Sequence, residues 1–292
     1  MNNNEMAYLL GMICGNGTIR RGNNETTVSI DIPHKKLVTE DIHDVALYVQ
    51  ASLESIRNII EPLISTGLSS TPSKAHTTLS FTKTNGDFLI RTINKSIGNA
   101  KSHADMRFNG AVFSLSKDER IMFLRGFADV TGYIRRSNYC REKHMHRVYI
   151  EVPHNWELVI DICNLLKSVG VPVQNINWAH PNIRDGNLEY YNRGNINGWK
   201  KEHQIKIWAN EFLTVGFTLL HKKQLLENLA KELLAVEDVK KTHRFYWELR
   251  GSNRSRLNHP CVNDEFIPEQ IRGKQFGSWK EIAKEMGYHE NS

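Results

Sequence analysis

The sequence has few cysteines and no long hydrophobic run. Its 292 residues include four cysteines, which are Cys14, Cys140, Cys163 and Cys261. They form no CxxC pair and no Cys/His cluster with zinc-ligand spacing, which argues against a zinc finger and against a disulfide framework and predicts buried, inert thiols. No apolar run approaches the roughly 18 residues that a transmembrane helix needs, which excludes an integral membrane protein.

The sequence also lacks a recognisable secretory signal. Its first residues, MNNNEMAYLLG, contain neither a basic segment nor a small-residue cleavage site, so the expected location is the cytoplasm. With 40% hydrophobic and 24% charged residues, the composition is that of an ordinary globular protein. The length fits two domains or one internally duplicated unit.

Basic residues outnumber acidic ones. Lys and Arg total 38 against 32 acidic residues, which gives a formal net charge of +6 and a pI of about 9.0. A basic balance favours a nucleic-acid partner, although many basic proteins have no such partner.

An internal repeat is present. Residues 7–21 and 122–136 align without a gap, so that Gly11 matches Gly126 and Gly17 matches Gly132. A second pair of matching segments, 28–34 and 148–154, follows the first pair at a similar distance in each copy. Two matches in the same order indicate a duplicated unit rather than chance.

Hydrophobic periodicity predicts the same element order in both copies: helix, two strands, helix, two strands, helix. In the second copy, whose first helix has Ser116 as a candidate N-cap, the predicted helices are 117–130, 156–169 and most of 211–236, and the strands are 133–138, 146–153, 173–179 and 203–208. In the first copy the helices are 5–14, 39–64 and 85–97, and the strands are 18–21, 26–33, one near 68, and 77–81. The predicted organisation is a first repeat at 1–98, a linker at 99–116, a second repeat at 117–236 and a basic C-terminal extension at 237–292.

The two nine-residue segments LLGMICGNG (9–17) and LRGFADVTG (124–132) resemble the paired motifs of LAGLIDADG homing endonucleases. The resemblance implies an α+β, αββαββα fold duplicated about a pseudo-twofold axis, with two antiparallel sheets forming a saddle on double-stranded DNA. It also implies a monomer that cleaves DNA with a divalent metal, Mg²⁺. Gly11 and Gly126 would let the motif helices approach closely, and Gly17 and Gly132 would end them.

Strand alternation predicts which side chains face DNA, because successive residues point to opposite faces of a sheet. With Ile19, Val28, Ile30 and Ile32 facing the helices, the outward residues are Thr18, Arg20, Ser29 and Asp31 in the first half, and Tyr133, Arg135, Tyr149, Glu151, Gln204 and Lys206 in the second. Arg reads guanine and Gln reads adenine, whereas Lys and Arg at the rim hold phosphates. A solvated charged sheet face is the alternative. The candidate DNA-binding residues are Arg20, Arg21, Arg135, Arg136, Tyr133, Tyr149, Gln204, Lys240, Lys241 and Arg244.

The last three of these residues belong to a basic, aromatic run in the C-terminal extension, between residues 239 and 256. Such a run suits an arm that follows phosphates and makes DNA affinity fall with salt. A helix packed on the core by its aromatic side chains is the alternative.

The chemistry departs from the pattern that the resemblance implies. An acidic residue is expected at the penultimate position of each motif, where two carboxylates hold metal, but these positions are Asn16 and Thr131. Candidate replacement metal ligands are Asp129, Asp31 and Glu151. Lys206, and Asn16 itself, complete the candidate catalytic set. Base recognition, or ion pairs with Arg20 and Arg135, is the alternative role for Asp31 and Glu151.

Two functions therefore remain open. The first is a metal-dependent, site-specific endonuclease of homing or restriction type. The second is a sequence-specific DNA-binding regulator on a catalytically inactive scaffold. A role in RNA binding and splicing is a third, weaker alternative.

Overall fold

The computed structural model describes residues 3–39, 42–65, 67–103, 105–108, 110–136, 146–153, 155–181, 201–234 and 247–249. The first half contains α1 (Asn3–Asn16), β1 (Gly17–Arg21), β2 (Glu25–Pro33), α2 (Val45–Ile64), β3 (Ser69–Pro72), β4 (His76–Thr84) and α3 (Phe88–Ile97). A short helix α4 (Gly110–Phe113) follows. The second half contains α5 (Lys117–Thr131), β5 (Gly132–Arg135), β6 (Arg147–Pro153), α6 (Trp156–Ser168), β7 (Asn175–Pro181), β8 (Lys201–Trp208), α7 (Ala209–Phe212) and α8 (Leu220–Leu234), and β9 (Trp247–Leu249) comes last.

The two halves form sheets of the same topology. The first sheet has the strand order β1-β2-β4-β3 and the second has the order β5-β6-β8-β7-β9. The repeated strands all pair antiparallel, and β9 alone joins its sheet in parallel, beside β7. Gly17 pairs with Ile30, and its repeat counterpart Gly132 pairs with Ile150. The predicted α+β fold with duplicated antiparallel sheets is confirmed.

Helix boundaries follow local capping and turn chemistry. Ser116 caps α5 in a capping box with Glu119, which confirms the predicted N-cap. The prediction that the second helix begins at residue 39 is wrong, because α2 begins at Val45, where the Asp44 carboxylate accepts a hydrogen bond from Leu47 N at 3.1 Å. The helix predicted for most of 211–236 is broken near Gly216, which has a φ of 67°.

The two motif helices α1 and α5 meet at the predicted glycines. A Cβ added at Gly126 would overlap the carbonyl oxygen of Tyr8 and lie 3.1 Å from Tyr8 Cα. A Cβ added at Gly11 would likewise overlap the carbonyl oxygen of Phe123 and lie 2.9 Å from Phe127 N. Tyr8 and Phe123 are themselves counterparts in the repeat, so the contact is reciprocal, as a local twofold axis requires. The prediction that these glycines permit close helix approach is confirmed.

Two of the cysteines lie within the described residues, and both are free and buried. Burial raises the pKa of the Cys14 and Cys163 thiols, so both are inert towards thiolate chemistry. Cys140 and Cys261 lie outside the described residues. In the part of the chain that the structure describes, no helix has the length and apolarity needed to cross a membrane.

A buried lysine on α8 joins the two halves. Lys222 is fully buried, and its ammonium donates to the carbonyl oxygens of Lys36 and Gly132, each at 3.1 Å. It also lies 4.1 Å from the ring centroid of Phe217. Burial lowers the pKa of Lys222 to about 7, and the nearby Asp129 carboxylate opposes this shift.

We expect this lysine to make stability depend on pH. Its pKa is about 7 in the folded protein and 10.5 ordinarily, so the unfolded chain binds more protons between these values. The free energy of unfolding should therefore rise with pH across this window, by up to about 1 kcal/mol per pH unit. Lys222→Met should flatten the rise. The measurement is urea denaturation at several pH values from neutral to mildly alkaline.

The matched control is Lys223→Met, which changes an exposed lysine on the same helix. This variant should retain the wild-type slope. Parallel stability curves for wild type and Lys222→Met would show that Lys222 does not cause the pH dependence.

Candidate nucleic-acid interface

In each half, one face of the sheet packs against helices and the other carries polar side chains. Along β1 and β2, the side chains of Ile19, Val28, Ile30 and Ile32 are buried. Between them, Thr18 and Ser29 are half-buried, while Arg20 and Asp31 are exposed. The predicted alternation of the first sheet is confirmed.

The second sheet shows the same alternation with larger outward side chains. Ile205 and Ile207 are buried towards the helices, whereas Tyr133 and Tyr149 pair across β5 and β6 with stacked rings 5.1 Å apart. Lys206 pairs with Tyr149 in the register of β6 and β8, so both lie on the outward face.

Gln204 shares this outward face, but little of it reaches solvent. Its amide donates to the Tyr133 hydroxyl at 3.0 Å and to the Glu151 carboxylate at 3.4 Å, and only 5% of the residue is exposed. Two neighbouring side chains therefore hold the Gln204 amide in one orientation. An amide that is fixed in this way is suited to read a base edge only if its remaining donor or acceptor atoms can reach one.

The two motif helices end in uncharged side chains that hydrogen-bond to the backbone. The Asn16 amide donates to the carbonyl oxygen of Asp31 at 2.6 Å. The Thr131 hydroxyl donates to the carbonyl oxygen of Phe127, one turn earlier in α5, at 2.7 Å. Neither helix end presents a carboxylate of its own.

Glu151 forms an ion pair between the halves. Its carboxylate contacts the ammonium of Lys36, which follows β2 in a short 3-10 turn, His34–Lys36. The same ammonium lies 4.4 Å from the ring centroid of Tyr133, and both charged side chains are largely buried. The contact therefore ties the first half to the outward face of the second.

Lys36 was not predicted from the sequence, although the repeat contains a signal for it. The two copies match through Pro33-His34 and Pro153-His154 and then diverge, so that Lys36 aligns with Trp156. Only the first copy therefore has a charged side chain at this position, so the two halves are not equivalent there.

Asp31, the repeat counterpart of Glu151, has a different environment. Its side chain is exposed and accepts a hydrogen bond from the Thr78 hydroxyl at 2.6 Å. Thr78 and Gln204 are the cross-strand partners of Asp31 and Glu151 in their respective sheets. The structure thus places the duplicated acids at equivalent positions, with one in solvent and the other paired with Lys36.

Asp129 lies in the interior rather than at the surface, so the prediction that it binds metal does not fit its position. Its carboxylate accepts hydrogen bonds from the Tyr8 hydroxyl at 2.8 Å and from Thr218 N at 3.2 Å. Burial raises the pKa of Asp129, and Lys222 opposes this shift. Asp129 is therefore a buried link between α1, α5 and the segment before α8.

Arg21 is also occupied within the protein, which corrects its predicted DNA-binding role. Its guanidinium donates to the carbonyl oxygens of Gly98 at 2.9 Å and Ala100 at 2.7 Å, and to the Asn94 side chain at 2.9 Å. These carbonyls lie at and just beyond the C-terminal end of α3, where a cation is stabilised. Arg21 thereby anchors the chain that leads to the second half.

The structure describes some of the other predicted DNA-binding residues but not all of them. Arg136 is exposed, and Arg135 and Lys206 are partly exposed on the second half. Lys240, Lys241 and Arg244 lie outside the described residues.

The described side chains do not fit a metal site that bridges the motif helices. Mg²⁺ prefers several carboxylate oxygens and water, but Asn16 and Thr131 are uncharged and the ammonium of Lys36 occupies one side of the Glu151 carboxylate. Among the described residues, no group of three His, Cys, Asp or Glu side chains is close enough to hold a metal ion.

Comparisons with known proteins identify structures of similar fold. No family model matches the chain, and no curated protein matches it. I-DmoI in complex with DNA and Ca is 16% identical with a TM-score of 0.44, over 77% of this chain and 98% of that one. The I-LtrWI LAGLIDADG homing endonuclease bound to target DNA is 12% identical with a TM-score of 0.42, over 83% and 95%. Full-length DUF199/WhiA from Thermatoga maritima is 12% identical with a TM-score of 0.40, over 99% and 87%.

Proposed function

We propose that this protein binds double-stranded DNA in the major groove through the outward faces of its two sheets. The observation that carries the proposal is the outward face of the second sheet, where Arg135, Arg147 and Lys206 lie beside the stacked Tyr133 and Tyr149. Cationic and aromatic side chains on a β surface suit a duplex backbone and its base edges. The net charge of +6 points the same way.

We further propose that binding needs no divalent metal. The positions where the motif helices would supply carboxylates carry Asn16 and Thr131, and Lys36 neutralises Glu151. The role that fits this arrangement is a sequence-specific DNA-binding protein, such as a regulator.

One observation favours the endonuclease function. The Asp31 carboxylate is exposed beside Asn16, at the end of the first motif helix. A hydrolytic activity would need this carboxylate, or residues outside the described ones, and a divalent ion such as Mg²⁺.

One experiment tests both functions. The purified full-length chain is incubated with a pool of genomic fragments in EDTA, Mg²⁺ or Mn²⁺, and bound and cleaved fragments are separated on gels. Retention of particular fragments in EDTA, with the same fragments uncut in either metal, is the expected result. Discrete fragments cut only with metal would replace the regulator with the endonuclease, and loss of that cleavage in Asp31→Asn would assign it to Asp31. Failure to retain any fragment would refute DNA binding.

A further inference from the structure

The outward face of the first sheet consists mainly of hydroxyl side chains. In the strand register, the outward positions of β1 to β4 are occupied by Ser or Thr except at Arg20, Glu25, Asp31, Pro33 and His76. The hydroxyl residues are Thr18, Thr27, Ser29, Ser69, Thr71, Thr78, Ser80, Thr82 and Thr84. We call this surface the hydroxyl face.

Several of these hydroxyls bond to neighbours across the strands. Thr27 and Thr82 are joined at 2.8 Å, and Ser69 and Ser80 at 2.7 Å. The Thr78 hydroxyl donates a hydrogen bond to the Asp31 carboxylate. Short side chains that already share their hydrogen bonds form a low, flat surface with little reach into a groove.

The equivalent face of the second sheet has the opposite composition. Its described outward side chains are long, planar or charged, and none is Ser or Thr. They are Tyr133, Arg135, Arg147, Tyr149, Glu151, Gln204, Lys206 and Trp208. We call this surface the reading face. The Arg147 guanidinium lies over the Trp208 ring, 4.4 Å from its centroid, so part of the face is held in place before DNA binds.

We infer that the two halves divide the recognition of DNA unequally: the reading face selects the base sequence, and the hydroxyl face holds the duplex with little sequence preference. The inference rests on the proposed function and specifies how that surface recognises its target. Arg, Lys and Gln make the bidentate or charged contacts that distinguish base pairs, whereas Ser and Thr hydroxyls donate or accept and tolerate several bases. Phosphate oxygens accept hydrogen bonds from hydroxyls at any sequence.

Arg20 differs from the other residues of the hydroxyl face. It is the one outward residue there with a long cationic side chain, and it is exposed. Any base selection by the first half should therefore concentrate on one or two base pairs beneath Arg20. The expected target is not palindromic, despite the pseudo-twofold fold.

The test begins with selection of duplexes from a random library by the full-length chain. Each base pair of the selected site is then changed in turn, and the dissociation constant is measured by fluorescence anisotropy. A photocrosslinking amino acid at Thr84, an exposed position of the hydroxyl face, marks the end of the site that lies beneath the first half.

Substitutions in the end that does not crosslink should weaken binding by about 5- to 100-fold per base pair. In the crosslinked end the change should stay within about 2-fold, except at the pairs beneath Arg20. In Arg20→Ala, that remaining preference should disappear while the preference of the other end persists.

Other outcomes contradict the inference in distinguishable ways. Equal losses across both ends, or the larger losses at the crosslinked end, would refute the division between faces and leave DNA binding intact. Binding without any selected sequence would do the same. A chain that binds no duplex at all would refute the proposed function, and the inference with it.

Discussion

Gly126→Ala should destabilise the protein by about 3 kcal/mol or more, and Gly11→Ala should do so to a similar extent. The added Cβ would overlap backbone atoms of the facing motif helix, at Tyr8 in one case and Phe123 in the other. A backbone carbonyl cannot rotate away as a flexible side chain can, so the helices must separate or tilt. Because both sheets are attached to the ends of these helices, the halves should also lose their relative orientation.

The expected change in stability has the opposite sign to that of a Gly→Ala substitution in an isolated helix. In a helix that is free of neighbours, replacing glycine with alanine stabilises by about 1 kcal/mol. Gly86→Ala is the control for steric overlap, because Gly86 lies in the turn before α3 and a Cβ there has nothing within 4 Å. Urea denaturation of the three variants is the measurement. A Gly126→Ala variant as stable as Gly86→Ala would show that the two motif helices do not approach closely at this glycine.

Much of the fold was predictable because the sequence contains the same unit twice. The resemblance of the two nine-residue motifs implied that the helices carrying Gly11 and Gly126 meet, and strand alternation together with the alignment of Ile30 with Ile150 indicated which strand residues are buried. Short-range patterns of this kind determine elements and faces with little dependence on the rest of the chain. The predicted start of α2 was wrong because Asp44 was not recognised as the N-cap residue that begins this helix.

The site was less predictable, because its decisive contacts join residues that are distant in sequence and absent from the repeat. Lys36 reaches Glu151, and Lys222 reaches the carbonyl oxygens of Lys36 and Gly132. In the sequence, both lysines lie in polar runs that suggest solvent exposure. Strand alternation could place Glu151 on the outward face, but it could not show that a lysine from the other half would neutralise it.

The same reasoning explains why Asp129 and Arg21 were assigned to the wrong environment. The resemblance suggested Asp129 as a metal ligand because it lies two residues before Thr131 in the motif, but only tertiary packing shows that Tyr8 and Thr218 enclose its carboxylate. Arg21 lies on the same face of β1 as the buried Ile19, and the carbonyl oxygens of 98–100 accept hydrogen bonds from its guanidinium. Both residues instead stabilise the arrangement of the two halves.

Reversing two charges on the reading face should abolish specific DNA binding. We expect the double variant Arg135→Glu with Lys206→Glu to weaken binding by about 100-fold or more, because two favourable contacts become repulsive in a groove lined by phosphates. The measurement is fluorescence anisotropy with the selected duplex over a range of salt concentrations. The dependence of affinity on salt should also become shallower, since fewer phosphates are neutralised.

The matched control carries the same change in net charge on the opposite side of the sheets. Arg91→Glu with Lys167→Glu alters exposed residues of α3, which packs against α1, and of α6, which packs against β6 and β8. If binding were steered by net charge alone, both double variants would lose affinity equally, and the reading face would have no special part in recognition. A large loss confined to Arg135 and Lys206, with both proteins equally stable to urea, would locate the DNA on that face.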